Sequence, residues 1–571
     1  MDNLSNYERA KKNSDIIDTH IIEVLESGKS FRVEAGAGSG KTYSLKKVID
    51  WIQINKGKSL KMKKKKVACI TYTNAAVDVI KSRLNPDSPV VPSTIHVFAW
   101  ANISRFQSSI LTIIKEKKLF PNDYNGEEIK RVAYSLGIKY IKNGCLYLYH
   151  DDVIKIFSEL LEKPKFRTLL TDKYPIILID EYQDSSKLII NPVIKYFIEK
   201  GSGPQFGFFG DSWQTIYADN GACGLIESEK LEVISKEANF RSQKCIVEML
   251  NRIRPELPQI SALNDEDGKI TVITTDELNN RVTKGYYKGE LEENLRYETV
   301  NSVREILFKR GWNFEKTKIL MITHKMLSKQ QGYKTLLDIL DKGLKDADDE
   351  HIIFFMNRVE PVFKALQEND TRSLYEALGT SRQAVYTRAQ KKAWNKLKNN
   401  LEIAREKTIF DVIKCVCDSQ LIPIPSEVEA IYREYPMNAE KTYAQSSIGK
   451  FYSVSYSEMI NVLEYLRPDS LFSTDHGVKG EEYENVLFVI GRGWNEYKFD
   501  EVLYKDLSQL SEKDADFYRK NRNLFYVCCS RPIKNLALLI TVKINKEFEK
   551  YLKRIFGEDS IVSYSDFIGE R

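Results

Sequence analysis

No apolar run in this sequence is long enough to cross a bilayer, and the polar opening Met1-Asp2-Asn3-Leu4-Ser5-Asn6-Tyr7-Glu8 carries no signal-peptide pattern. A chain with neither feature is expected in the cytoplasm, with no membrane partner. Histidine is scarce, six in 571 residues, and no His-x-x-x-His pair occurs to suggest a metalloenzyme helix. The eight cysteines show no zinc or iron–sulfur spacing: Cys69, Cys145, Cys223 and Cys245 are scattered, Cys415 and Cys417 are one residue apart, and Cys528 and Cys529 are adjacent. Cys69, Cys528 and Cys529 lie in strand-like apolar runs and read as small buried hydrophobes. Pro/Ser-rich linkers and repeats of fixed period are missing too. A net charge of +6 permits an anionic partner without identifying one.

The length suggests about four folding units of ordinary size. Among what is present, the octet Ala35-Gly36-Ala37-Gly38-Ser39-Gly40-Lys41-Thr42 is the most informative feature. It follows a strand-like stretch and precedes a helix-like one. In that setting three glycines let the backbone turn its N–H groups inward around phosphates, Lys41 reaches the outer phosphates, and the Thr42 hydroxyl holds Mg2+. The expected cofactors are therefore ATP and Mg2+.

A second buried strand, Ile176-Ile177-Leu178-Ile179, ends in Asp180-Glu181-Tyr182-Gln183-Asp184. Two adjacent acids at a strand end repel unless a cation neutralises them, which argues against a purely structural role. Asp180 is the expected magnesium ligand through its water shell. Glu181, aimed differently, is the expected general base for the attacking water.

The Asp-Glu-x-Gln-Asp form resembles superfamily 1 helicases, and the rest of the chain repeats that family's motif order. Thr71-Tyr72-Thr73-Asn74-Ala75-Ala76 and Ser93-Thr94-Ile95-His96-Val97-Phe98 come first. Gly210-Asp211-Ser212-Trp213-Gln214-Thr215-Ile216-Tyr217 and Asn239-Phe240-Arg241-Ser242 follow, then Thr474-Asp475-His476-Gly477-Val478-Lys479-Gly480-Glu481-Glu482-Tyr483 and Asn523-Leu524-Phe525-Tyr526-Val527-Cys528-Cys529-Ser530-Arg531. Together these are similar to the UvrD/Rep branch. The resemblance implies two RecA-like parallel-sheet α/β motor domains, each interrupted by a mainly helical insertion. Motif density divides the chain accordingly: a first motor domain at 1–98 and 166–238, interrupted by an insertion at 99–165, and a second at 239–345 and 466–571, interrupted by a reduced or divergent insertion at 346–465. Within the latter, Arg382 to Trp394 reads as a helix with a basic face. The lysine run Lys61 to Lys66 reads instead as a solvated loop entering a strand, although a nucleic-acid role stays open.

By motif position, the resemblance implies that Arg241 and Arg531 contact the outer phosphate, Arg531 as an arginine finger. It makes Gln214 a sensor of that phosphate, puts Phe240 beside the nucleotide and places Glu482 at the ribose. It also lays single-stranded or tailed DNA across both cores, lined by Tyr72, His96, Phe98 and Tyr217, with Thr73, Asn74, Thr94, Thr474 and His476 on the same path. Base stacking of this kind is indifferent to sequence. The implied activity is an ATP-driven DNA translocase or helicase, 3′ to 5′, in repair or antiphage defence. A nucleotide-switched DNA-sensing subunit of a nuclease complex is the alternative.

Several departures bear on that choice. Ala218-Asp219-Asn220 replaces the family's Arg-Trp-Arg, which removes a stacking tryptophan and weakens strand grip. No glutamine precedes the phosphate loop to read adenine, and His20 lies near its place, so triphosphates other than ATP are expected to be hydrolysed as well. Motif six reads Ser530-Arg531-Pro532, Glu481 replaces a leucine, and the second insertion lacks the family's Gly-Gly and Phe-Phe pairs. The forty residues after Arg531 are too few for a nuclease domain. Cutting is then expected to fall to a nuclease partner protein, as in the Gabija-type antiphage systems whose helicase-like subunit this sequence also resembles.

Overall fold

The computed structural model describes residues 5–121, 124–135, 139–216, 221–263, 268–322, 324–346, 349–379, 387–435, 447–467, 470–474, 479–492 and 497–569. Chain order opens with β1 (Phe31–Ala35), β2 (Val67–Thr71) and β3 (Val90–Thr94). β4 (Arg131–Tyr134), β5 (Tyr140–Lys142) and β6 (Cys145–Leu148) come next, followed by β7 (Ile176–Asp180), β8 (Gln205–Gly210) and β9 (Glu232–Lys236). The first sheet is ordered β3-β2-β7-β8-β1-β9, and every pairing is parallel. All five residues of β1, β2 and β7 are buried, as expected of strands covered by helices on both faces.

After the short parallel pair β10 (Ala238–Asn239) and β11 (Ile260–Ser261), a second sheet forms. It contains β12 (Ile270–Thr274), β13 (Thr317–Met321), β14 (Phe472–Thr474), β15 (Tyr483–Ile490), β16 (Pro532–Ile540) and β17 (Ile561–Ser563), in the order β14-β13-β15-β16-β12-β17, again all parallel. In such sheets ligand-binding loops gather at the carboxyl ends of the strands. β1 there leads into the phosphate loop, and β7 ends in Asp180.

The segment 99–165 is mainly helical but also holds the small sheet β4-β6-β5, whose buried Val132, Leu146 and Leu148 join the core beneath helix His150–Leu161. Among the described residues, 349–467 contains only helices as regular structure. Their shared core runs from Tyr333 to Leu463, so it already includes Leu336 and Leu337 of helix Lys334–Asp346. Helix Arg388–Arg405 exposes Arg388, Lys391 and Lys392 while burying Trp394, and Arg382 to Tyr386 lie outside the described residues.

Two local expectations change. Cys528 and Cys529 end helix Glu512–Cys529 rather than a strand; the run from Asn523 to Cys529 is buried on every side, so it has no periodicity to separate helix from strand. Part of the lysine run is likewise helical, as Gly57–Met62 folds around buried Leu60 before the turn into β2.

Candidate nucleotide and nucleic-acid site

The phosphate loop turns through Gly38 at φ 72° and Gly40 at φ 76°, the left-handed region where glycine is free of steric cost. Gly38 also carries a packing constraint, since a Cβ there would lie 2.6 Å from Asn239 Oδ1 and 2.7 Å from Arg241 Cβ. Lys41 begins helix Lys41–Asn55, and its Nζ lies 2.5 Å from Glu181 Oε1. Burial would lower the Lys41 pKa, but Glu181, Asp180 and Asp211 outweigh it and hold the ammonium charged.

Glu181 adopts φ 49°, a left-handed backbone that a non-glycine residue holds only where its surroundings over-determine it. Its N–H donates to Asp180 Oδ1 at 3.0 Å, and Gln183 Nε2 donates to Glu181 Oε2 at 2.6 Å. Burial, partly offset by Lys41 and reinforced by Glu181, pushes the Asp180 carboxyl up to about 6. For Glu181 burial acts in the same direction, yet Lys41 and Lys479 overcome it and hold the carboxyl down at about 2. The two acids are thus driven apart, one poised to gain from a cation and the other already charged.

Across from them lie Arg241, two residues after β10, and Gly480, Glu482 and Arg531, which precede β15 and β16 of the second sheet; with Phe240, Gln214 and residues 35–42 they line a cleft of about 440 Å³. Arg241 Nε pairs with Glu482 Oε2 at 2.8 Å, so the two groups assigned to phosphate and ribose hold each other. Arg531 is 1% exposed, and its guanidinium donates to Gln214 Oε1 at 3.2 Å, Glu481 O at 3.1 Å and Val527 O at 2.9 Å. Burial and the neighbouring Arg241 charge lower its pKa to about 10, which still leaves it fully cationic. The donor set fits a magnesium-bound triphosphate: the Thr42 hydroxyl lines the cleft, the Asp180 carboxyl lies in the groove that shares Glu181 with it, and buried Ser39 Oγ has no hydrogen-bond partner.

Several residues at the cleft were missed in the sequence. Lys479 Nζ bonds Asp184 and, at 2.6 Å, the Gln214 carbonyl, and so ties the second sheet's motif to both acidic motifs of the first. The Ala37 peptide is held at both ends from the second half of the chain: its N–H donates to Tyr526 Oη at 3.2 Å, and its carbonyl accepts from Asn239 at 2.9 Å and Gln259 at 3.1 Å. Lys479, Asn239 and Tyr526 stand inside recognisable motifs and could have been singled out there. Gln259 carries no local signal.

The strand-path residues divide. Tyr72 is 49% exposed, directly after β2, and lines a groove of about 370 Å³ with His96, Asp180, Glu181 and Asp184. Thr73 caps the helix that Asn74 begins, accepting from the Ala76 N–H at 3.2 Å, and Thr94 ends β3. The His96 ring meets His150 edge-on at 4.6 Å. Phe98 must be corrected: it is 6% exposed and packs on Phe157 at 5.9 Å and Tyr174 at 5.3 Å, so it is a core ring with no face for a base. Thr474 ends β14, whereas Tyr217, His476 and the Ala218-Asp219-Asn220 segment lie outside the described residues.

His20 does not reach the nucleotide cleft. It sits 3.9 Å from Glu232, which is in register with Phe31 at the start of β1, while the phosphate loop leaves the far end of that strand. Next to the loop stands Phe240 instead, with Tyr7 edge-on at 6.4 Å.

A protein-family profile described as an AAA domain matches residues 19–220, the stretch that holds the phosphate loop and the carboxylate strand. Gabija protein GajB of Bacillus cereus (strain HuB5-5) is 24% identical, with 94% of this chain and 96% of that protein aligned. ATP-dependent DNA helicase Rep of Buchnera aphidicola is 30% identical over 38% of this chain and 40% of its own length. A mitochondrial ATP-dependent DNA helicase of Saccharomyces cerevisiae is 26% identical over 43% of this chain and 41% of its own. Among the described residues no helix is long and apolar enough to cross a membrane. The ordered motifs, the paired parallel sheets and these relatives together show a chain similar to UvrD/Rep-type helicases and, over nearly its whole length, to the Gabija protein GajB.

Proposed function

We propose that the chain is an ATP-driven translocase on single-stranded DNA, moving 3′ to 5′, which works in antiphage defence beside a nuclease partner. The observation that carries this reading is the cleft itself, where Lys41 and Glu181 of one core face Arg241 and Arg531 of the other. Lys41 is committed to Glu181 and must release it to serve a phosphate, which frees Glu181 to accept a proton from water. Arg531, already buried and held by acceptors that include Val527 O, Glu481 O, Gln214 Oε1 and Ser530 Oγ, has little reorganisation left before it stabilises charge on the outer phosphate oxygens. Thr42 and Asp180 would hold Mg2+, which would supply charge neutralisation at the phosphates. Tyr72 supplies an exposed ring on the strand path.

A second reading, a nucleotide-switched DNA sensor within a nuclease complex, is favoured by the reduced grip: Phe98 is buried and Asp219 stands where the family carries its stacking tryptophan. Strand displacement on 3′-tailed and 5′-tailed duplexes, with and without the co-purifying partner, separates the two. The motor reading expects ATP-dependent displacement of 3′-tailed duplex, weak for the chain alone. ATP turnover without displacement under any of these conditions supports the sensor.

A further inference from the structure

Beneath the nucleotide cleft lies a buried ion cluster in which motif residue Asp211 meets two residues that no sequence motif marks, Arg254 and Glu34. Arg254 ends helix Lys244–Ile253, whose Ile246, Met249 and Leu250 pack in the second core. The side chain leaves that core and enters the first. It is 3% exposed, with Nη1 donating to Asp211 Oδ1 at 2.6 Å and Nη2 to Glu34 Oε1 at 2.7 Å. Glu34 stands on β1 one residue before the phosphate loop, and Asp211 directly follows β8. Asp211 Oδ2 in turn accepts from Gln214 Nε2 at 2.8 Å, and Gln214 Oε1 accepts from Arg531 at 3.2 Å. One unbroken chain of polar contacts therefore runs from Arg254 through Asp211 and Gln214 to Arg531.

The same guanidinium lies over two rings, 5.2 Å from the centroid of Trp213 and 5.7 Å from that of Tyr526. Tyr526 accepts from the Ala37 N–H of the phosphate loop, and Trp213 stands next to Gln214 in the short helical turn after β8. Arg254 thus touches Glu34 at the root of the phosphate loop, Asp211 at the stem of the segment that carries Gln214, and the Trp213 and Tyr526 rings together. A guanidinium suits this task because its rigid planar fork donates to the two carboxylates in fixed directions, whereas an ammonium is a point charge on a flexible stem. Simple structural stapling would be met more cheaply by apolar packing, since a buried ion pair seldom repays its desolvation.

We propose that Arg254 is a positioning residue that couples the two cores, converting their closure on a DNA strand into the placement of Gln214 and Arg531. The inference rests on the ATP-hydrolysing reading of the same cleft. Its test is the ratio of ATP turnover with and without oligo(dT), a quantity independent of the fraction of active protein, measured for full-length wild type, Arg254→Gln and Arg254→Lys. The expected result is a ratio well above one for wild type, near one for Arg254→Gln and intermediate for Arg254→Lys, with KM for ATP changed less than about twofold. If Arg254→Gln does not fold, Glu34→Gln/Arg254→Gln, which removes a charge from each side, carries the same measurement with the same expected ratio. Tyr182→Phe is the structural control: it deletes the 2.8 Å bond to Glu34 Oε2 from outside the relay and is expected to lower stability while keeping the wild-type ratio. A wild-type ratio retained in Arg254→Gln or in the double variant overturns the inference alone, as does a wild type whose hydrolysis ignores DNA. A wild type that hydrolyses no ATP overturns the underlying reading and the inference with it.

Discussion

At the residue scale the cleft is organised by charges that hold one another in reserve. Lys41 is paired with Glu181, Arg241 with Glu482 and Lys479 with Asp184, so the cationic groups facing the nucleotide are fixed by acids of the same site. Arg531 differs, being held by Gln214 and by backbone carbonyls. Its substitution should therefore act on the transition state: Arg531→Ala is expected to lower kcat by about 10² or more while nucleotide affinity, read with a fluorescent analogue, changes only a few-fold. His20→Ala is expected to leave the ATP to GTP preference of hydrolysis unchanged, because His20 stands at the strand end remote from the loop. A changed preference in steady-state assays of both triphosphates would mean that the base is read from that helix.

At the element scale, strands and the loops after them carry the chemistry, and a side chain's position relative to the strand end decides its role. Tyr72 and Phe98 illustrate this. Tyr72 follows β2 in the open, whereas Phe98 lies one turn into helix Ile95–Ile103 and faces the insertion's helix His150–Leu161. Tyr72→Ala is expected to cost about 1–3 kcal/mol of single-strand binding. Phe98→Ala should instead lower unfolding stability by about 3–5 kcal/mol, with strand affinity of the folded protein held within about twofold. Equilibrium unfolding and anisotropy titrations on both variants check this.

The same contrast explains what was legible beforehand. The phosphate loop, Asp180 and Glu181 could be located because each follows a strand, and Gln214, Arg241 and Arg531 by their places in motifs similar to the UvrD/Rep branch; the structure brings all but Asp180 to the lining of one cleft, and Asp180 ends β7 next to Glu181. Phe98 was misjudged since one turn of helix separates an exposed ring from a buried one, and nothing local marks which face meets the core. The run ending at Cys529 was misjudged because uniform burial erases periodicity. Arg254, Glu34 and Gln259 were invisible because their partners are distant in sequence: Arg254 and Glu34 are 220 residues apart. Only the fold brings them into contact.

At the scale of the whole molecule, two parallel sheets share one cleft, and each sheet is joined to a helical unit with its own buried residues. Strand binding should combine phosphate contacts with stacking, so affinity is expected to fall steeply with salt and to differ little between oligo(dT) and mixed sequences. Filter binding across a salt series tests this, and strong dependence on one base sequence would oppose it.

The proposed motor depends on hydrolysis in the cleft between the sheets, with Glu181 proposed as the group that takes the proton from water. The most direct measurement is steady-state ATP turnover by wild type and Glu181→Gln in the presence of Mg2+ and single-stranded DNA, beside binding of a fluorescent ATP analogue to each. The expected result is turnover by wild type, a rate lower by about 10² or more in Glu181→Gln, and analogue binding retained in both. Turnover undiminished in Glu181→Gln, or none in a wild type that binds the analogue, would contradict it.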